Sequence, residues 1–359
     1  ARALHAVPPA VVRARALPRA LHEGAVVLDY LLHDGALHVI AVRRERLSSP
    51  GRLVSSTRLS RLAHALLFDL RGAAFDRSAA REATASFRDA LAEVAAAVLW
   101  PPLAGAPLPR TLAIVPVGPL AHLPWAALPL PDGRPLCEAL DLTLVPGLRL
   151  GLARPRRNGP GGRAAGPPLV VASDPGELES IEPETRAVLQ AFPEARLVTG
   201  AEATAGRLIE LAPSAPWVHF AGHGLYRADR PEGSGLRLAD RWLLADEVAG
   251  LSLRARWVAL SACQTARALV RPGEEWFGLA RTFLLAGARS VLASQWDIAD
   301  EAAARLMAGV YAHLSGGDPP ARALGKAQAA SAREGIHPLD WSGFVVLGGP
   351  PVGPGPDSP

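Results

Sequence analysis

The stretches WVHFAGHG, residues 217–224, and WVALSACQTA, residues 257–266, decide the fold of this sequence. Each begins with a short apolar run rich in β-branched and aromatic residues, which is typical of a buried strand. Each then changes to glycine or polar residues, which predicts a loop at the carboxyl end of that strand. The 40 positions from His223 to Cys263 leave room for a helical crossover, so we predict two nearby parallel strands.

Similar apolar runs extend this pattern in both directions along the chain. The further predicted strands are LVVAS (169–173), SVLAS (290–294) and FVVLG (344–348). Helical spacing of apolar residues occurs between the runs, at 184–192, 277–286 and 300–314. Strands that alternate with helices predict an α/β fold, with a mainly parallel sheet and helices on both faces.

The preceding half of the chain has a different pattern. AVVLDYLLHDGALHVIAVR, residues 25–43, has Asp34-Gly35 between two apolar runs and predicts a β-hairpin. Two helices are expected within 56–99, and a buried strand that runs into a loop within 111–129. We therefore expect a smaller α+β subdomain before the parallel sheet.

Composition sets the boundaries of the predicted units. A stretch rich in glycine, proline and arginine predicts a flexible linker, and the last residues are mostly proline, glycine, aspartate and serine. The expected organisation is an N-terminal subdomain at 20–152, a linker at 153–168, a second subdomain at 169–349 and a disordered tail at 350–359.

The bulk composition excludes several classes of protein. With 49% hydrophobic and 20% charged residues in 359, the chain is expected to be globular. A net charge of +4 is mild, so a nucleic-acid-binding module remains only a rival hypothesis. Lys326 is the only lysine, and such a preference for arginine indicates a GC-rich, bacterial genome.

Hydrophobicity along the chain predicts neither a membrane partner nor a signal peptide. No apolar run approaches the roughly 20 residues that a membrane span needs, and residues 1–20 are rich in arginine and proline. We expect a cytoplasmic protein. The chain begins at Ala1 and Met307 is its only methionine, so we expect a fragment of a longer protein.

The two cysteines predict neither a disulfide framework nor a metal site, and Cys137, which has no matching histidine motif, is expected to be structural. Cys137 and Cys263 do not form a CxxC pair. In open α/β sheets the functional residues follow the carboxyl ends of the strands, where His223 and Cys263 are predicted. An adjacent imidazolium lowers the pKa of a thiol from about 8.5 and makes it a nucleophile. The backbone N–H groups of Gly224 and Cys263 would stabilise the oxyanion, and this chemistry needs no metal or cofactor.

Several ordered motifs resemble one known family. HFAGHG (219–224), LSACQTA (260–266), GLARTFLLAGARSVLASQWDIAD (278–300) and HPLDWSGFVVLGG (337–349) are similar to CHAT domains, as are IVPVGPLAHLPWAALP (114–129) and EAT (202–204). CHAT domains are caspase-like cysteine peptidases of clan CD, often fused to tetratricopeptide repeats and related to separase.

The resemblance implies a function and its partners. It makes His223 and Cys263 a catalytic dyad and implies an endopeptidase that cleaves a partner protein. It also implies an N-terminal repeat or sensor region that gates the site. By the same resemblance, residues before the linker would be an inactive caspase-like half.

Each of these interpretations has an alternative. Cys263 alone could be a buried core thiol, and an intact fold could serve as a catalytically silent scaffold. His219, within the predicted strand, is expected to pack rather than to react.

The candidate substrate-binding residues also have two interpretations. Asp297 and Asp300 precede a helical pattern and could simply cap that helix. In separase a similar motif helps to form the pocket for a basic P1 side chain, which the two carboxylates would bind here. CHAT peptidases differ in P1 preference, so a pocket for an apolar P1 residue is the alternative. Glu275 could belong to the first turn of a helix or could line the cleft.

Overall fold

The protein is built around a single large β-sheet. The computed structural model describes residues 16–75, 84–148, 164, 166–173, 178–227, 229–262, 269–270 and 276–353. Within these ranges the sheet has twelve strands: β1 (Ala25–His33), β2 (Ala36–Arg43), β3 (Arg46–Ser48), β4 (Arg52–Ser55), β5 (Thr111–Val115), β6 (Asp141–Leu144), β7 (Leu169–Ser173), β8 (Arg196–Thr199), β9 (Trp217–Gly222), β13 (Trp257–Ser261), β16 (Ser290–Ser294) and β17 (Phe344–Gly348). Their order across the sheet is β3-β2-β1-β5-β6-β17-β16-β13-β9-β7-β8, with β4 also paired to β2.

Two small sheets, ten α-helices and several short 3-10 helices accompany the large sheet in the described part of the chain. The small sheets are formed by β10 (Gly224–Leu225), β11 (Gly235–Arg237) and β12 (Trp242–Leu244), and by β14 (Leu269–Val270) and β15 (Trp276–Phe277). The helices are α1 (Ala16–Ala20), α2 (Ser56–Phe75), α3 (Thr84–Val94), α4 (Trp100–Leu103), α5 (Leu178–Ala191), α6 (Ala205–Leu211), α7 (Ala245–Ala249), α8 (Leu279–Ala286), α9 (Asp300–Ser315) and α10 (Pro320–Arg333). A π-helical turn, Ala95–Leu99, joins α3 to α4.

The predicted α/β class and the mainly parallel sheet are confirmed. Strands β8, β7, β9, β13 and β16 all run parallel, whereas β17 is antiparallel to β16. Every residue of β7, β13 and β17 is buried, so both faces of this half of the sheet are covered.

The predicted hairpin is also present at the start of the chain. Strands β1 and β2 pair along their whole length, up to the pair His33 and Ala36. The two turn residues, Asp34 and Gly35, have φ angles of 46° and 65°. Positive φ at both positions gives a turn whose twist matches that of the strands, which is why Asp-Gly is favoured there.

The sheet passes without interruption from the N-terminal strands to those that follow the predicted linker. Leu144 of β6 pairs with Leu347 of β17, and Arg322 of α10 forms a largely buried ion pair with Asp141 at 3.1 Å. Residues 149–163 and 165, most of the predicted linker, lie outside the described residues.

The described C-terminal residues return to the first helix. The N–H of Gly353 donates to the carbonyl of Ala20 at 3.0 Å, and Val352 forms a β-bridge with Leu21. The remaining predicted tail residues, 354–359, are outside the described ranges. None of the helices within those ranges combines the length and hydrophobicity that a bilayer crossing needs.

Candidate active site

Strands β9 and β13 are parallel neighbours at the centre of the second half of the sheet. Their register pairs Leu260 with Phe220 and Ser261 with Ala221. His223 lies two residues beyond Ala221, directly after β9, and its side chain is exposed. Its carbonyl accepts a hydrogen bond from the N–H of Arg237 at 2.9 Å.

Gly222 allows the chain to turn at the end of β9. Its φ angle is 154°, which a residue with a side chain rarely adopts. A Cβ atom at this position would overlap the carbonyl oxygen of Ser173, the last residue of β7. The close approach of β7 therefore requires glycine immediately before His223.

The other glycine beside His223 is Gly224, the first residue of β10. Antiparallel strands alternate hydrogen-bonded and non-hydrogen-bonded residue pairs. Because Arg237 donates to His223, the next pair, Gly224 and Leu236, is a non-hydrogen-bonded one. The N–H of Gly224 therefore points away from β11.

The end of β13 is held by side chains from two directions. The Ser261 hydroxyl donates to Glu184 Oε2 at 2.7 Å, and the Ser294 hydroxyl donates to the Ala262 carbonyl at 2.9 Å. Both contacts are buried. Cys263 and Glu275, the predicted nucleophile and a predicted cleft residue, lie outside the described residues.

A buried polar cluster lies below these strand ends. His219 of β9 is fully buried, and its Nδ1 is 2.9 Å from the Tyr311 hydroxyl of α9. On the other side of the ring, Nε2 is 3.3 Å from Glu184 Oε1 of α5. That contact is not aligned as a hydrogen bond, and neither atom has another aligned partner among the described residues.

Burial sets the protonation of this pair. Desolvation raises the pKa of Glu184 from 4.5 to about 8, and the negative charge of Asp300 adds to the effect. Desolvation lowers the pKa of His219 from 6.5 to about 3. At neutral pH the pair is therefore a protonated carboxyl group beside a neutral imidazole.

The loop after β16 carries the two predicted carboxylates of the substrate pocket. Asp297 and Asp300 are both exposed, and neither is the N-cap of α9, which is Ala299. The preceding residues anchor this loop: Gln295 donates to the Ala121 carbonyl at 2.6 Å and Trp296 to the Leu339 carbonyl at 2.9 Å. The loop therefore lies at the carboxyl edge of the sheet, next to the end of β13.

Sequence reasoning missed the groups that support the strand ends. Glu184 and Ser261 are 77 positions apart in the chain, and Ser294 acts on a backbone carbonyl 32 positions away. The available signal was that Glu184 occupies an apolar position of an amphipathic helix. Such a position is expected to be buried, and a glutamate is almost never buried unless it is paired.

The mainly parallel sheet with its covered faces is an α/β fold. A model of the CHAT domain family matches residues 89–349, which is more than half of the chain. The chain therefore belongs to the CHAT domain family, as its motifs predicted.

Individual relatives match smaller parts. The human Tetratricopeptide repeat protein 28 is 32% identical over 113 residues, which are 31% of this chain and 4% of the human protein. The mouse protein of the same name is 31% identical over 113 residues, 31% of this chain and 5% of its own length. The chain thus corresponds to only a small part of these relatives.

A solved structure shares the fold. The crystal structure of the Saccharomyces cerevisiae separase–securin complex has a TM-score of 0.50 and 16% sequence identity. The match covers 68% of this chain and 16% of the separase-complex chain. At this identity the similarity describes the fold alone.

Gly222→Ala tests the close approach behind His223. The added methyl group meets the Ser173 carbonyl and a φ angle unsuited to alanine, so we expect a loss of about 1–3 kcal/mol in unfolding free energy. Urea denaturation measures it. Gly206→Ala, in α6 with open space around it, is the matched control and is expected to stabilise by up to about 1 kcal/mol. Equal stability of both variants would contradict the steric account.

Glu184→Gln tests the protonation of the buried carboxyl group. The unfolded chain releases this proton near pH 4.5 and the folded chain near pH 8. The contribution of Glu184 to the free energy of unfolding is therefore most favourable below pH 4.5. It falls as pH rises towards 8, by about 1.4 kcal/mol per pH unit. Urea denaturation from pH 5 to 8 should show the variant gaining stability relative to the native chain as pH rises. The exposed Glu182→Gln is the control, and a pH-independent difference for Glu184→Gln would refute the assignment.

Proposed function

We propose that this chain is a cytoplasmic cysteine endopeptidase that cleaves a partner protein with Cys263 as nucleophile and His223 as catalytic imidazole. The observation that supports this most is the register of β9 and β13. Ala221 and Ser261 are direct neighbours, and His223 and Cys263 each follow that pair by two residues along the chain. Neighbouring strands are about 4.8 Å apart, so the segments that follow β9 and β13 leave the sheet side by side.

The first chemical step is attack of the Cys263 thiolate on a peptide carbonyl carbon. The His223 imidazolium beside it stabilises the thiolate. A C–S bond forms as the carbonyl π electrons move to oxygen, which accepts hydrogen bonds from the N–H groups of Gly224 and Cys263. The orientation of the Gly224 N–H away from β11 supports this role.

The remaining steps return the enzyme to its starting state. Collapse of the tetrahedral species breaks the C–N bond, and the imidazolium gives its proton to the departing amine. The neutral His223 then removes a proton from water, whose oxygen attacks the thioester. Cleavage of the C–S bond releases a carboxylic acid and regenerates the thiolate and imidazolium.

A basic P1 side chain is the proposed specificity. In the strand order β16-β13-β9, the loop with Asp297 and Asp300 is on the opposite side of β13 from His223. Two exposed carboxylates there suit a guanidinium or ammonium group. Glu275 is proposed to line the same cleft. Arginines in the predicted linker at 153–168 would then make that segment a site of self-cleavage.

The proposed partners are a protein substrate and an N-terminal repeat or sensor region that gates the site. The names of the human and mouse relatives, Tetratricopeptide repeat protein 28, support the repeat region. The residues at 20–152 are proposed to be an inactive caspase-like subdomain.

A peptide probe with a cysteine-reactive group tests the proposed chemistry. We expect labelling at Cys263 that disappears in Cys263→Ala and slows by about 10²–10⁴-fold in His223→Ala. Intact-mass spectrometry and peptide mapping measure it. Cys137→Ala is the matched control, because burial raises the pKa of that thiol to about 12 and keeps it unreactive. A folded native chain that is never labelled, with or without its N-terminal partner, would instead support a silent scaffold.

A further inference from the structure

The proposed chemistry does not use the buried polar cluster of Glu184, His219, Ser261 and Tyr311. All four side chains lie in the interior, and Glu184 is only 4% exposed. The cluster lies on the side of the sheet that faces α5 and α9, which supply Glu184 and Tyr311. Its members come from the two strands that precede His223 and Cys263 and from the two helices packed on those strands.

Glu184 is the member that joins the two strands. One carboxyl oxygen accepts the Ser261 hydroxyl at 2.7 Å, at the last residue of β13. The other oxygen faces Nε2 of His219 in β9 at 3.3 Å. Because His219 is held from its other nitrogen by Tyr311, the carboxyl group connects β13 through β9 to α9.

The buried position of Glu184 has a desolvation cost that an apolar side chain would not have. Desolvation of Glu184 is the largest cause of its raised pKa, which means that burial of the carboxyl group costs free energy. The neighbours on this side of the sheet include large apolar rings, with Trp217 and Trp257 stacked at 5.5 Å. An acid at this point therefore has a use other than packing.

The contact is close to the proposed nucleophile along the chain. Ser261 precedes Cys263 by two residues, and the carbonyl of the intervening Ala262 is held by Ser294 at 2.9 Å. Side chains of α5 and β16 thus hold Ser261 and Ala262, the last two described residues before position 263. Of these contacts, the one from Glu184 also reaches the strand that leads to His223.

We propose that Glu184 is a positioning residue that ties the end of β13 to β9 and so fixes the distance between the loops that carry Cys263 and His223. This inference rests on the proposed function. The strength of the thiolate–imidazolium interaction depends on that distance, since Coulomb energy falls with separation. A change in the position of β13 should therefore appear in the pH dependence of the thiol as well as in turnover.

The experiment measures alkylation of Cys263 by iodoacetamide from pH 5 to 10, together with kcat and KM for a peptide substrate. Glu184→Met keeps the size and removes both polar contacts. We expect its alkylation midpoint to rise towards the value of about 8.5 of an ordinary thiol. We expect kcat to fall by about 10²-fold, as for a small misplacement of reacting groups, with KM little changed.

Glu184→Gln is the conservative variant. At neutral pH the native side chain is protonated, and an amide likewise accepts from Ser261 and donates towards His219. We expect it to keep an alkylation midpoint close to that of the native chain and most of kcat. Glu182→Met, two residues earlier on the exposed face of α5, is the matched control and should change neither quantity.

Ser261→Ala extends the test if Glu184→Met does not fold. It removes one hydroxyl from the same contact, and we expect a smaller shift of the midpoint in the same direction. Circular dichroism establishes that each variant is folded. A folded Glu184→Met or Ser261→Ala with the native midpoint and native kcat would overturn the proposal.

Failure of the proposed function gives a different result. In that case Cys263 of the native chain is alkylated with the midpoint of an ordinary thiol, and the chain cleaves no peptide. This result would refute both the catalytic dyad and the positioning role of Glu184. An activated thiol in the native chain, unaffected by changes at Glu184 and Ser261, removes the positioning role alone. The Cys263→Ala chain supplies the background, because Cys137 is then the only cysteine.

Discussion

Parallel, in-register pairing of β9 with β13 is the constraint on which the rest of the structure depends. It places residues after Ala221 and after Ser261 at neighbouring points of one sheet edge. Trp217 and Trp257, the first residues of the two strands, stack on each other and so support the same register. Their indoles also pack against Phe192 and Tyr311.

Much of the fold could be predicted from local patterns. Apolar runs bounded by glycine or polar residues marked β7, β9, β13, β16 and β17, and Asp34-Gly35 marked the hairpin. Helix α10 was not predicted, because its buried face consists largely of small residues, such as Ala323 and Ala327. The small sheet β10-β11-β12 was also missed, since its strands are only two or three residues long. Pairing direction, as for antiparallel β17, depends on topology rather than on composition.

The candidate site shows a similar division. His223 and Gly224 follow directly from a strand that ends in glycine, and the structure adds the reason for Gly222, which meets β7. Glu184 could not be assigned, because its partners in β9 and β13 are distant in sequence and only the assembled sheet brings them together. The pairing of His223 with Cys263 stays a prediction that register and family motifs support.

A crystal structure of the chain with a peptide aldehyde would test the central claim most directly. We expect a hemithioacetal bond from Cys263 Sγ to the aldehyde carbon, with the His223 imidazole within hydrogen-bonding reach of that group. The former aldehyde oxygen should accept a hydrogen bond from the N–H of Gly224. An aldehyde bound elsewhere, or a Cys263 thiol directed away from His223 into the core, would contradict it.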